Sequence, residues 1–426
     1  MNNKRLFSVI LIVFIDLLGF SLILPLLPYY AGKYGATQLV TGLLVASYAA
    51  MQLIGAPILG RLSDRFGRRP VLLASVFGTF IGFLLLGFAD PLGVALAGAF
   101  NPKAANFFVL LVLFISRMVD GLTGGNLSVA QAYISDVTDA QNRSKGLGMI
   151  GAAFGLGFII GPVTGGVLSQ WGYAVPAFLA STLSLGNLAL IYFWLPESLT
   201  AEKRAVMAER KPSVTLDALL NALRRPFSGS LLITRFFFGL AFAIFQTMFA
   251  AYALQRFQLT ARDTGFVLTY VGVLSVFVQG FLIGRITKRF REDILIPVAV
   301  VTMAFALLGW AFAPSVLWLL VALAPTAISG GLLNTILSST LTKAVLPQEI
   351  GGILGLSASI ESSTRIFAPI LGGYLLGSLG AWAPGVFGAL LLAGLSFYVW
   401  RTIYDHPIAA QIRGKNNQPI PAPSAE

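Results

Sequence analysis

The chain has 426 residues, of which 56% are hydrophobic and only 11% are charged, and its mean hydropathy is +0.82. About a quarter of the residues of a soluble domain are charged, so this composition excludes an ordinary soluble globular protein. The absence of Cys excludes disulfides, thiol nucleophiles and thiolate metal sites. The single His, His406, lies in the tail, so no histidine is expected to relay protons inside the membrane.

Apolar runs predict twelve membrane-spanning helices, since a span needs about 20 mostly apolar residues. The first run follows Lys4 and Arg5 and is too long for the apolar core of a signal peptide, so it is expected to be retained. An even number of spans places both termini on the same side. The predicted helices cover residues 6–31, 39–59, 70–89, 106–135, 146–169, 174–195, 229–255, 264–284, 294–313, 315–341, 350–377 and 381–402.

The distribution of basic residues predicts the orientation. Of the 29 Lys and Arg residues, 22 fall in the even-numbered loops and the two tails, four in the odd-numbered loops and three within helices. Loops rich in Lys and Arg stay in the cytoplasm, so both termini are expected on the cytoplasmic side. The protein itself is expected in the inner membrane of the cell. This bias explains the net charge of +12 without a nucleic-acid partner.

An internal duplication divides the chain into two halves. The loop Gly60–Pro70 is repeated in shape at Gly284–Phe290, an offset of 224, whereas Gly161–Gly166 aligns with Ala368–Gly373 at an offset of 207. The difference of 17 residues indicates an insertion at Asp90–Asn106. The fold class predicted is an all-α polytopic membrane protein, with twelve transmembrane helices in two pseudo-symmetric halves of six.

The predicted halves, 1–195 and 229–403, are joined by a cytoplasmic linker at 196–228. Four leucines in this linker have helical spacing opposite charged residues, which predicts an interfacial helix on the inner leaflet. The polar, Pro-rich tail 404–426 is predicted to be disordered. The four leucines are Leu216, Leu219, Leu220 and Leu223.

The charged loop between the second and third helices is suited to be a conformational gate. Asp64 is expected to cap the third helix or to meet a cation from the other half, and Arg65, Arg68 and Arg69 are available to Asp136. The alternative is that these charges only hold the loop in the cytoplasm. The gate residues are Gly60, Asp64, Arg65, Gly67, Arg68, Arg69 and Asp136.

The fifth helix has glycines at four-residue spacing, Gly157, Gly161 and Gly165, which allow a close approach of neighbouring helices. Pro162 interrupts the backbone hydrogen bonds at this place and permits bending during transport. Simple packing of helices is the alternative. Together with Gly166, these residues form the candidate hinge.

Six ionisable residues are expected to lie within the hydrocarbon, where each costs at least about 2.5–3.5 kcal/mol at the centre of the bilayer. Arg235 is expected near the inner end of its helix, where it reaches water. The other five are the candidates for proton coupling, although intramembrane pairs can also be purely structural. These five are Asp16, Arg117, Asp120, Glu361 and Arg365.

The repeat places Glu361 and Arg365 where the first half has Phe154 and Phe158. Glu361 is therefore expected to be a second protonation or cation-binding site, with Arg365 as its partner; a structural pair is the alternative. A substrate cavity is expected among polar and aromatic residues of the helices. They are Asp16, Phe20, Gln52, Phe154, Gln246, Gln279, Asn334 and Glu361.

Four motifs in order resemble the major facilitator superfamily, and within it the drug/proton antiporters of the tetracycline-carrier type. They are Ile15–Gly19 running to Pro25 and Pro28, the loop Gly60–Pro70, Arg117 with Gly121, and Gly151, Gly155, Gly161–Pro162 and Gly165–Gly166. The resemblance implies export of amphipathic or drug-like small molecules by alternating access, coupled to protons. It also implies a monomer in the lipid bilayer that uses no cofactor and no metal.

Departures from the tetracycline carriers affect the expected substrate. Gly82 stands where those carriers have an acid, Asp120 stands where they have a small or amide residue, and tetracycline itself is not expected. The same scaffold also supports a lipid or glycolipid flippase or a metabolite exporter. A receptor or channel that does not transport is a further alternative. An enzyme is not expected, because the sequence offers no nucleophile–base set.

Overall fold

The structure is a computed structural model that describes residues 3–138, 140–200, 204, 221–346 and 349–404. Helices dominate, and no strand occurs in these ranges. The tail beyond Tyr404, with His406, lies outside the described residues, as do three of the four leucines of the expected interfacial helix. Only Leu223 is described, at the helical end of the linker.

Twelve long helices, α1–α12, follow the predicted spans within the described ranges. Four are composite: α1 contains a 3₁₀ turn at Leu24–Leu26, which includes Pro25, α4 has two helical segments, α8 contains a π-helical turn at Val278–Leu282, and α12 ends in a π-helical turn, Trp400–Tyr404. The bounds are α1 Asn3–Ile23 and Leu27–Lys33, α2 Gln38–Phe66, α3 Arg68–Gly87, α4 Ala105–Thr123 and Asn126–Val137, α5 Ala140–Leu168, α6 Ala174–Trp194, α7 Pro226–Phe257, α8 Ala261–Phe277 and Ile283–Arg289, α9 Glu292–Ala311, α10 Val316–Lys343, α11 Ile350–Ser378 and α12 Ala383–Val399.

Eleven helical stretches in the described part of the chain are long and apolar enough to cross a membrane. The remaining long helix, α11, is not among these eleven stretches. It has 29 residues, a length of about 44 Å at 1.5 Å per residue, which is ample for a span. Its middle is polar, with Glu361 and Arg365 among serines and threonines.

A short apolar helix, Ala89–Phe100, lies between α3 and α4. It occupies the segment in which the repeat offsets indicate an insertion. Its Gly93 allows close contact with α4, because a Cβ atom there would lie 2.6 Å from the Cα atom of Val109. The inserted residues therefore form an extra helix that packs on α4.

The fourth span differs from the continuous helix predicted at 106–135. It breaks at Gly124 and Gly125, which separate its two helical segments. The Gln52 side chain of α2 donates a hydrogen bond to the carbonyl oxygen of Gly124 at 2.9 Å. Two consecutive glycines favour the break, and the amide stabilises it by satisfying a carbonyl that the helix leaves open.

The chain divides into two compact units. The first contains residues 1–210 together with 247–273 and 369–377; in it α1 packs on α5 and α6, and α3 packs on α4 and α6. The second contains residues 211–246, 274–368 and 378–426; in it α9 packs on α10 and α12. The first unit thus includes parts of α7, α8 and α11.

Candidate functional site

Asp16 lies near the middle of α1, 13 residues from its first described residue, or about 20 Å along the axis. Its half-buried carboxyl group and Asn126 of α4 line a cavity of about 10 Å³. A cavity of this size holds about one water molecule. Apolar side chains, among them Leu72 and Ala130, form the rest of the wall. An acid beside an amide in an apolar cavity is suited to exchange a proton.

The second acid of the first unit, Asp120, forms an ion pair with Arg117 on the same helix, 3.1 Å from its Nη1 atom. Both side chains are buried, and Arg117 also lies over the Phe83 ring at 5.3 Å. Gly82 provides the space for the acid, since a Cβ atom there would lie 2.8 Å from the Cβ atom of Asp120. The Nε and Nη2 atoms of Arg117 have no hydrogen-bond partner among the described residues.

Aromatic rings lie beside these charges in the first unit. Phe154 stacks on Phe158 with ring centroids 4.6 Å apart, and Phe20 contacts both Phe158 and Tyr48. The Gln52 side chain donates to the Tyr48 hydroxyl at 3.1 Å. Of the predicted cavity residues, the structure thus brings Phe20 and Phe154 together through Phe158, and Gln52 joins them through Tyr48.

In the second unit, three ionised side chains form a cluster. Arg235 of α7 donates to Glu361 of α11 at 2.7 Å, and Arg365 donates to the other oxygen of Glu361 at 2.9 Å. Arg235 also donates to the carbonyl oxygen of Asn334 and to the Ser338 hydroxyl, both at 3.2 Å. Two guanidinium groups therefore share one carboxylate.

The expectation that Arg235 reaches water at the inner end of its helix is wrong. Arg235 lies nine residues into α7, about 14 Å along the axis, and is only 8% exposed. Because Glu361 has two arginine partners, the cluster has an excess of positive charge, which disfavours a bound metal or organic cation. Protonation of Glu361 stays a prediction, tested by the pH profile of transport in Glu361→Gln against that in Arg365→Ala.

Three predicted cavity residues of the second unit remain. Asn334 contacts the cluster through its backbone, and no hydrogen bond of Gln246 or Gln279 with the cluster is seen among the described residues. Gln279 is exposed in the π-helical turn of α8, a feature that often marks functional sites. Asn334 contributes its carbonyl oxygen to Arg235, as described above. Gln246 is half-buried on α7.

The gate loop is organised around Arg68. Its guanidinium group contacts Asp64 at 2.6 Å and Asp136 at 3.2 Å, and it donates to the Ser63 hydroxyl at 2.6 Å. Gly67 turns the chain between α2 and α3 with a φ of 107°, a conformation that L side chains rarely adopt. Gly60 lies on α2, one turn before Ser63, whose hydroxyl donates to its carbonyl oxygen at 2.7 Å.

The expectation that Asp64 caps α3 is wrong. The carboxylate at the start of α3 is that of Glu197, which follows α6 and accepts hydrogen bonds from the backbone N–H groups of Arg68 at 2.9 Å and Arg69 at 3.1 Å. Asp64 lies one turn too early on α2 and binds the Arg68 side chain. A glutamate at a helix N-terminus satisfies open N–H groups and interacts favourably with the helix dipole.

Arg65 and Arg69, the other two arginines expected to pair with acids such as Asp136, form no ion pair with it in the part of the chain that the structure describes. Arg65 lies over the ring of Phe66 at 5.4 Å. Arg69 donates to the carbonyl oxygen of Tyr192 at 2.5 Å and lies over its ring. The second partner of Asp136 is the Ser198 hydroxyl at 3.0 Å, so the segment after α6 joins the gate.

The small residues of α5 are used for close contacts. A Cβ atom at Gly161 would overlap the Ser21 side chain, and one at Gly165 would overlap the backbone of α1 at Leu22. The Ser21 hydroxyl also donates to the carbonyl oxygen of Gly157 at 2.7 Å. Pro162 and Gly166 lie on a different face, against the start of α8. Both uses agree with a packing role and leave bending as a hypothesis.

The contributors that sequence reasoning missed include Asn126, Tyr48, Glu197 and Ser198. Asn126 could have been found as a polar residue within a span, and Glu197 as an acid that follows a span on the side of the gate loop. The described residues contain no group of three or more His, Cys, Asp and Glu side chains that could hold a metal ion.

Twelve long helices, with charged clusters inside several of them, define a polytopic membrane protein. The sequence model of the Major Facilitator Superfamily matches residues 9–367, and the chain belongs to this superfamily. Fold and family agree with the prediction of two pseudo-symmetric six-helix halves.

Relatives of the chain include bacterial efflux proteins. It is 31% identical over 404 residues to the tetracycline resistance protein, class H, of Pasteurella multocida, covering 92% of this chain and 95% of that protein. It is 27% identical over 405 residues to multidrug resistance protein 2 of Bacillus subtilis, with coverage of 94% and 96%. The structure resembles the crystal structure of a D-xylose-proton symporter with a TM-score of 0.71 at 17% identity, over 94% of this chain and 98% of that one.

Proposed function

We propose that this transporter is a proton-coupled antiporter that exports amphipathic or drug-like small molecules across the inner membrane, with both termini in the cytoplasm. The names of the relatives, which are resistance proteins against tetracycline and multiple drugs, support drug export. The basic loops support the orientation. Alternating access would expose one set of intramembrane residues to each side in turn.

The observation that carries the proposal is the Asp16 carboxyl group in its cavity beside Asn126. An acid that exchanges its proton with each side in turn can couple proton entry to substrate exit. One elementary charge crossing 100 mV releases about 2.3 kcal/mol, enough for a roughly forty- to fifty-fold substrate gradient. Asp120, the other acid of the first unit expected within the hydrocarbon, is paired with Arg117 at 3.1 Å.

The gate network is proposed to set the balance between the two conformational states. Arg68 joins α2, α3 and α4 through Asp64 and Asp136, and Glu197 adds the segment that follows α6. Arg68 is buried and Asp64 is partly exposed, and an ion pair at such a partly exposed site contributes about 1 kcal/mol. A few such contacts suffice to bias two states whose free energies differ by a few kcal/mol.

The test is transport in proteoliposomes with an imposed pH gradient. Three dyes serve as probes: cationic ethidium, neutral N-phenyl-1-naphthylamine and anionic 1-anilinonaphthalene-8-sulfonate. Accumulation of at least one dye that collapses with the gradient is expected. Flux that continues unchanged without the gradient would favour a channel, and the absence of flux for all three would contradict the proposal of a broad drug exporter.

A further inference from the structure

Arg365 is the last residue in a chain of hydrogen bonds that begins at α10. Arg235 is held by the Asn334 carbonyl and the Ser338 hydroxyl, and it holds one oxygen of Glu361. Glu361 in turn holds Arg365 through its other oxygen. Among the described residues Glu361 is the one hydrogen-bond acceptor that Arg365 contacts. A guanidinium group has five N–H donors, so most of those of Arg365 are open to a ligand.

The position of Arg365 on α11 indicates that it faces water. Its side chain is 43% exposed, and the stripe of α11 that it shares with Ala358 and Glu361 has no aromatic residue. Phe367 and Tyr374, which are 57% and 54% exposed, lie about 200° around the helix from Arg365 and Glu361 respectively. Exposed aromatic rings suit lipid, whereas ionised groups within a span face protein or an aqueous cavity.

The charge of the cluster defines the ligand it favours. Arg235 and Arg365 carry two positive charges against the one negative charge of Glu361. The buried Arg235 makes three hydrogen bonds within the cluster, whereas Arg365 makes one and is more exposed, so the excess positive charge is available at Arg365. A guanidinium group binds carboxylates and phosphates through paired hydrogen bonds. The corresponding positions of the first half are the stacked rings of Phe154 and Phe158, so the repeat does not require charge there.

We propose that Arg365 binds the anionic group of an amphipathic substrate, a carboxylate, sulfonate or phosphate ester, and that Arg235 and Glu361 are positioning residues. The inference rests on the proposed function in assuming that the cluster serves a transported molecule. Glu361 fixes the direction of the Arg365 side chain, and Arg235 fixes Glu361. A cation of similar size and shape would be repelled.

Binding of two matched dyes to the full-length protein in nanodiscs tests this proposal without a gradient. 1-Anilinonaphthalene-8-sulfonate and N-phenyl-1-naphthylamine share an aromatic scaffold, and only the former carries a sulfonate. Arg365→Gln is expected to weaken binding of the sulfonate by about tenfold and to leave the neutral dye unchanged. Arg401→Gln is the matched control, because it removes an equal charge from an exposed arginine at the end of α12. It is expected to change the binding of neither dye.

Two further variants separate recognition from loss of structure. Arg365→Lys is expected to retain part of the sulfonate binding. Glu361→Gln is expected to strengthen it, because the amide oxygen still accepts a hydrogen bond from Arg365 and keeps its direction, while the competing negative charge is removed. Equal sulfonate affinity in the natural protein and in Arg365→Gln would overturn the proposal, as would weakening of both dyes alike. If Arg365→Gln does not fold, unchanged or weaker sulfonate binding by Glu361→Gln overturns it.

The outcome is independent of proton coupling. If the sulfonate binds selectively but no gradient-driven transport occurs, the proposed anion site is supported and the proposed antiporter is refuted. Gradient-driven transport of ethidium, with no preference for the sulfonate in binding, would do the reverse.

Discussion

Gly265 of α8 lies directly against the backbone of Pro162 of α5. A Cβ atom at Gly265 would lie 3.1 Å from the carbonyl carbon of Pro162, would overlap its oxygen, and would be 3.4 Å from the Cα atom of Gly166. Proline inside a helix opens the hydrogen-bond ladder, and glycine allows a second helix to approach this place. The α5 motif is therefore one side of a backbone-to-backbone contact.

The repeat builds the same contact a second time. A Cβ atom at Gly42 of α2 would lie 2.9 Å from the carbonyl carbon of Pro369 of α11 and 3.4 Å from the Cα atom of Gly373. Gly42 and Gly265 are 223 residues apart, and Pro162 and Pro369 are 207 apart. All of these residues belong to the first unit. We call the two contacts the glycine–proline seals.

A larger side chain in one seal is expected to open the ends of these helices. Gly42→Val would force α2 and α11 apart, and overpacking costs about 1–3 kcal/mol. The chain has no Cys, so a single Thr264→Cys can report: Thr264 is fully buried and lies 2.6 Å from the Tyr29 hydroxyl. Labelling of this cysteine by an impermeant maleimide is expected to accelerate about tenfold in Gly42→Val.

The control for the seal is Gly186→Val on α6, where an added Cβ atom meets nothing within 4 Å. It is expected to leave labelling unchanged. Equal labelling rates in Gly42→Val and in the parent with only Thr264→Cys would show that the seal does not hold these ends together.

Asp16→Asn is expected to fold and insert but to lose gradient-driven accumulation. The amide keeps the shape and polarity of the carboxyl group beside Asn126 and removes its ability to exchange a proton. Exchange of labelled substrate across the membrane without a gradient should persist, and its rate should no longer depend on pH. Both are measured in proteoliposomes.

Asp90→Asn provides the matched carboxyl-to-amide change outside the cavity, at a half-buried residue 3.5 Å from Lys33. It is expected to transport normally. Unchanged gradient-driven accumulation by Asp16→Asn would remove this residue from the coupling mechanism.

Asp64→Asn is expected to slow turnover by up to about fivefold with little loss of substrate affinity. It removes one of two carboxylates at Arg68, and a partly exposed ion pair is worth about 0–1 kcal/mol. The loop begins where α2 ends, away from the substrate candidates within the helices. Turnover and affinity are separated by measuring exchange rates and equilibrium binding on the same preparation.

Asp293→Asn is the control for this change, because Asp293 also pairs with a neighbouring arginine, Arg291, at 2.7 Å. It is expected to leave turnover unchanged. A collapse of affinity in Asp64→Asn with a normal exchange rate would refute the gate assignment.

Glu197→Ala is expected to destabilise the protein by about 1 kcal/mol, the typical effect of losing a helix cap. Its carboxylate receives two backbone N–H groups at the start of α3. Glu197→Gln retains an acceptor oxygen and should lose less. Thermal unfolding of the purified variants measures the difference, and an alanine variant as stable as the natural protein would show that the cap contributes nothing.

The sequence by itself determined the fold, because this fold follows from composition, from the length of the apolar runs and from the internal repeat. Apolar runs of span length and the repeated loop were enough to predict twelve helices in two halves, a prediction that the helices and the family confirm. The acids and arginines inside the helices were also found from sequence, since the cost of a charge in the bilayer makes each one conspicuous.

Only the tertiary structure decided which of these groups meet. Arg235 and Glu361 are 126 residues apart, and Glu197 and Arg68 are 129 apart, so no local spacing connects them. The depth of Arg235 depended on where α7 begins, and the break in α4 depended on an amide from α2. Periodicity fixes the face of a helix but not the neighbour that this face contacts, because the neighbour is chosen by packing between distant segments.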